Sequence, residues 1–118
     1  MTWLLYMIKD NSVYLKHILE SIIHIEQFLE EIDHNEAMFS AKLHWQNAFV
    51  RELEVIGEAA NQLNKEFISK HSDVPWENII GMRHKLIHDY FEVKMELVWD
   101  TCTIDLPRLK PQLESLIQ

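Results

Sequence analysis

Apolar residues recur at alternating intervals of three and four through the first third of the chain: Leu15, Ile18, Ile22, Ile25, Leu29 and Ile32. That spacing lines one face of a helix, and Asp10, Asn11 or Ser12 would cap its start. The polar run Asp33-His34-Asn35-Glu36 interrupts the pattern and predicts a turn, followed by a short helical piece near Ala37–Ser40. A second periodic set, Phe49, Leu53, Ile56, Ala60, Leu63 and Phe67, predicts a helix from about Ala41 to Asn64 or slightly beyond. Near its middle Gly57, Ala59 and Ala60 carry small side chains, which lets another helix approach closely.

Ser72-Asp73-Val74-Pro75 resembles a helix start, with proline near the first helical position, where its missing N–H costs nothing. Trp76, Ile79, Ile80, Met82, Leu86 and Ile87 supply the apolar positions of a helix running to about Tyr90. A last helical region covers Met95–Thr103 and, after the punctuation Asp105-Leu106-Pro107, Leu109–Ile117. The pattern predicts an all-α fold, a compact four- to five-helix up-and-down bundle, in one domain spanning residues 1–118. The apolar opening run Thr2–Ile8 is too short to span a bilayer and lacks the flanks of a signal peptide. It is expected to pack on the domain or on a partner. Trp3, Trp45, Trp76 and Trp99 are expected to serve as core or interface anchors.

Composition narrows the picture further. With two glycines and three prolines in 118 residues, the chain has little material for the tight turns of a hairpin-rich fold. Its one cysteine, Cys102, precludes an internal disulfide and points to a reducing, cytoplasmic setting. The formal charge of −8 argues against a broad electrostatic grip on nucleic acid, which draws on many Lys and Arg contacts to phosphate, so any such chemistry must be local. Only three arginines are present, Arg51, Arg83 and Arg108, and the position of each is therefore informative.

The segment Arg83-His84-Lys85-Leu86-Ile87-His88-Asp89-Tyr90 concentrates the candidate chemistry. At about 100° per residue, Arg83 and Tyr90 would share one face of a helix and His84 and His88 the adjoining one. By residue type alone these side chains read either as a solvated stripe or as a guanidinium, an imidazole and a phenol gathered in one cleft. In the second reading the arginine grips a phosphate and stabilises the charge of a pentacovalent transition state. The histidine takes a proton from a ribose 2′-hydroxyl or gives one to the leaving 5′-oxygen. His84-x3-His88 also has the spacing of helical metal ligands, but no Glu follows the first His and no third ligand is evident, so no metal or other cofactor is expected. Glu58 is expected either to orient Arg83 through an ion pair or to be a plain helix-face carboxylate. His17 and His24 are expected to have ordinary surface or interface roles.

Arg83-x4-His88-x-Tyr90 resembles the signature of the HEPN superfamily, and most closely that of HepT-type ribonuclease toxins. The resemblance extends to Tyr14-Leu15-x2-Ile18-Leu19-Glu20, to the block Arg51–Ala60, to Val74-Pro75-Trp76-x2-Ile79-Ile80-Gly81-Met82-Arg83, and to Val98-Trp99 and Asp105-Leu106-Pro107. It implies an endoribonuclease toxin of a type VII-like toxin–antitoxin system that cleaves RNA without a metal, with Arg83 and His88 catalytic. It also implies a homodimer through the motif helices and a MntA-type nucleotidyltransferase antitoxin that neutralises the toxin by AMPylating Tyr90. His84, Tyr90 and Glu58 would support the site. Dimerisation would gather Arg83, Lys85 and their symmetry mates in one groove. At the residue after the arginine, where the family usually has a polar residue such as asparagine, this chain has His84. A reading of a different class is a catalytically inactive HEPN domain that serves as binding partner for a nucleotidyltransferase.

Overall fold

A computed structural model describes residues 10–117 of the chain, and the apolar opening run with Trp3 lies outside them. The described residues form an all-helical fold without strands. Helix α1 (Asn11–Glu31) begins at Asp10, whose carboxylate accepts from the backbone N–H groups of Ser12 and Val13. These bonds, with the Ser12 hydroxyl foremost, hold the Asp10 carboxyl below its usual range. Asp33 and His34 adopt left-handed backbone angles (φ 52° and 53°) at the reversal. Asn35 then caps α2 (Glu36–Ala41) through its side chain.

Helix α3 (Leu43–Gln62) is the central element, flanked by α1 on one side and α5 (Trp76–His88) on the other. Contacts between Asn11 and Asn64 and between His24 and Glu52 show that α1 and α3 run antiparallel. The expected helix Ala41–Asn64 is thus shorter at both ends. An extended residue, Lys42, separates it from α2, and Asn64 begins a new short helix, α4 (Lys65–Lys70), by capping Phe67 N–H at 2.8 Å. Phe67 therefore packs from α4, 4.5 Å from His71 and 6.3 Å from Trp76 between ring centres.

The C-terminal third departs from the expected break at Asp105–Pro107. Helix α6 (Met95–Asp100) passes through a π-helical turn (Thr101–Asp105) directly into α7 (Leu106–Ile117). Pro107 has no N–H to give the carbonyl one turn back, and the widened turn absorbs that missing bond without ending the helix. Lys110 on α7 reaches Glu26 on α1, with Nζ 2.9 and 3.1 Å from the two carboxylate oxygens.

The core is the apolar stripe read from the sequence. Leu15, Ile18, Ile22, Ile25, Leu29 and Ile32 meet Phe49, Leu53, Ile56, Ala60 and Leu63, with Trp99 stacked beside Phe49 and Phe39 tilted against it. Trp76 and Trp99 are buried, while Trp45 is half-buried against Phe28. Cys102 is buried here too, and desolvation pushes its thiol well above the ordinary range.

Candidate active site

The arginine of the motif sits where two helices nearly touch. A β-carbon placed on Gly57 of α3 would overlap the Arg83 Cβ and lie 3.1 Å from the Ile79 carbonyl oxygen. Glycine at 57 therefore lets α5 lie directly on α3 at the level of Arg83. One residue along α3, Glu58 Oε2 accepts from Arg83 Nε at 2.8 Å, and Gln62 Nε2 donates to the other carboxylate oxygen at 3.1 Å. The guanidinium is thus held from one side while its side chain remains 30% exposed.

Beyond Arg83 lies an open groove of about 370 Å³ between α1, α3 and α5. Ile87, one turn on from Arg83, also lines it and is exposed, although its apolar character suggested a core position. His84 and His88 occupy the adjoining face of α5. Both are exposed, with ring centres 4.5 Å apart and planes inclined at 45°. Among the described residues no group of three or more His, Cys, Asp or Glu side chains is arranged to hold a metal ion.

One expectation for this region needs correction. Helix α5 ends at His88, with Asp89 as its last half-turn residue, so the helical face shared by Arg83 does not continue to Tyr90. Tyr90 instead opens a 3-10 turn (Tyr90–Glu92), half-buried against the core, with its ring edge-on to the fully exposed Phe91. Within the single chain, Lys85 lies on the opposite side of α5 from Arg83. There it lines a separate cleft with Leu53, Met82 and Val93 and comes within 3.8 Å of Asp89.

What shares the groove with Arg83 is Arg51, together with Tyr14 and His17 from α1. The sequence carried a signal for this. Arg51 and Glu58 are seven apart on one helix, and therefore on one face, so a carboxylate that reaches Arg83 implies an arginine two turns away on the same side.

The family model described as Ribonuclease HepT-like matches residues 18–116. The chain belongs to the ribonuclease HepT-like family. Over 110 residues, 93% of this HepT-like chain, it is 42% identical to a candidate RNase of Caldanaerobacter subterraneus subsp. tengcongensis, 96% of which is covered. It is 38% identical over 108 residues to a protein of Thermococcus cleftensis named as a probable ribonuclease HepT, covering 92% and 96% of the two chains. A candidate RNase of Methanocaldococcus jannaschii is 36% identical over 106 residues, 90% of this chain and 95% of that one. No solved structure gives a significant match. No described helix is long and apolar enough to cross a membrane.

Proposed function

We propose that this HepT-like chain is an endoribonuclease toxin of a type VII-like toxin–antitoxin pair, cutting RNA without a metal through Arg83 and His88. The observation that carries the reading is the Glu58–Arg83 contact, which fixes a guanidinium at the edge of an open groove and one helical face away from an exposed imidazole. Names of the relatives agree with RNA as substrate. In the proposed reaction His88 accepts the proton of a ribose 2′-hydroxyl, and the 2′-oxygen attacks the adjacent phosphorus. The bond to the 5′-oxygen breaks, that oxygen takes up a proton, and a 2′,3′-cyclic phosphate remains. Arg83 neutralises the charge that accumulates on the phosphoryl oxygens. The catalytic unit is a homodimer in which the motif helices of two copies face each other and supply two Arg83/His88 sets.

Tyr90 is the proposed point of control. A MntA-type nucleotidyltransferase antitoxin would esterify AMP to its hydroxyl, with pyrophosphate leaving from ATP. The added bulk and negative charge beside the catalytic pair would repel RNA phosphate. Tyr90 opens the turn that directly follows His88 and Asp89, and that nearness to the catalytic pair supports such a control point.

Intact-mass measurement of the chain co-expressed with a MntA-type nucleotidyltransferase, alongside growth and RNA cleavage, tests this reading. The expected result is added AMP on the wild-type chain with loss of cleavage, and an unmodified, still toxic Tyr90→Phe variant. A wild-type chain that binds the nucleotidyltransferase but never cuts RNA would establish the inactive-partner reading in its place.

A further inference from the structure

We infer that Arg51 is a substrate-positioning residue, which holds a second phosphate of a single-stranded RNA lying in the groove between α1, α3 and α5. The inference rests on the ribonuclease reading and extends it to residues outside the Arg83–Tyr90 segment.

Two of the chain's three arginines line this one groove. Arg83 is engaged by Glu58, whereas Arg51 is exposed and forms no ion pair among the described residues. An unpaired guanidinium in a concave site, on a chain of net charge −8, is a local exception to the acidic surface. In the groove the two arginines are matched by Glu54 and Glu58, so the acidic excess vanishes there without becoming a basic track. A short contact with one or two phosphates suits that balance, and a long duplex backbone does not.

The spacing agrees. Arg51 and Glu58 are two turns apart on α3, about 10.5 Å along its axis. Because Glu58 holds Arg83, the two guanidinium groups are offset along the groove and would meet different phosphates of one strand. Between them Val55 and Ala59 form an apolar floor, and the half-buried ring of Tyr14 forms a wall against which a splayed base could stack. Glu54, on the same face as Arg51, opposes the phosphate and limits affinity.

The test uses the full chain, with steady-state cleavage of a single-stranded RNA and equilibrium binding of its 2′-O-methyl analogue, whose blocked 2′-oxygen cannot attack. Arg51→Gln is expected to raise KM and Kd several-fold with kcat within about twofold, and to flatten the slope of log Kd against log salt by about 0.7, the value of one phosphate contact on a single strand. Arg51→Lys should recover part of the loss, and Glu54→Gln should tighten binding. Unchanged KM, Kd and salt slope in Arg51→Gln, with a wild-type chain that cleaves, would overturn the role of Arg51 and leave the ribonuclease reading intact. A fall in kcat at constant KM would overturn it as well. A wild-type chain that neither binds nor cuts RNA would overturn both. Should Arg51→Gln fail to match the wild type in thermal unfolding, Glu54→Gln decides alone: unchanged or weaker binding in that variant rejects the proposal.

Discussion

Glu58 Oε2 stands 2.8 Å from Arg83 Nε, joining the middle of α3 to the motif helix α5. Both side chains keep solvent contact, 47% and 30% exposed, so the pair is worth only about 0.2–1 kcal/mol to folding. Its value to the site is orientation. Glu58→Gln is expected to shift urea unfolding by less than about 1 kcal/mol while reducing kcat about tenfold, the rate equivalent of roughly 1.4 kcal/mol in the transition state. Equal kcat in the variant would remove Glu58 from the site. The charge swap Glu58→Arg with Arg83→Glu gives an independent check, because zero coupling energy in a double-mutant cycle on stability would mean the contact has no energetic weight in solution.

The two glycines of the chain should respond to alanine in opposite directions. At Gly57 the new methyl collides with the Arg83 Cβ and presses on the Ile79 backbone oxygen, neither of which is a flexible side-chain end. Gly57→Ala should cost about 1–3 kcal/mol, as overpacking does, and should displace α5 enough to lower cleavage. Gly81 lies in α5, exposed, with nothing within 4 Å of its would-be β-carbon. Gly81→Ala should therefore gain about 0.5–1 kcal/mol from helix propensity. Denaturation of both variants checks the contrast, and a stabilised Gly57→Ala would refute the close approach of α3 and α5.

Lys110 links α7 to α1 through Glu26, and that hydrogen bond raises its ammonium above the ordinary value of 10.5. A group that binds its proton more tightly when folded adds stability below its unfolded value and loses it as pH climbs through the folded one. The stability difference between wild type and Lys110→Met should thus be constant from neutral pH to about pH 10 and shrink above 10.5. Thermal unfolding across that range measures it. A difference that disappears already near pH 8 would show that the pair does not form in solution.

The helical stripes were legible because each buries one face on a shared core: every member of the Leu15–Ile32 series is buried, as is every member of the α3 series except Phe67. Their ends were not, since they depend on single residues, the extended Lys42 and the capping Asn64. Continuity past Pro107 was also hidden, because composition marks a proline as a stop and does not reveal a π turn that accommodates it. At the site, the Arg83–His88 segment could be read along one helix. Arg51 joins it only across α3 and α5, a contact between helices that spacing along one helix does not show.

The central claim, metal-independent RNA cleavage by Arg83 and His88, is tested most directly by incubating purified wild type, Arg83→Ala and His88→Ala with single-stranded RNA in EDTA and analysing the product ends. The wild type should cut and leave 2′,3′-cyclic phosphates, while both variants unfold at the wild-type temperature and leave the RNA intact. Undiminished cleavage by either variant, or wild-type cleavage that EDTA abolishes, would contradict the account.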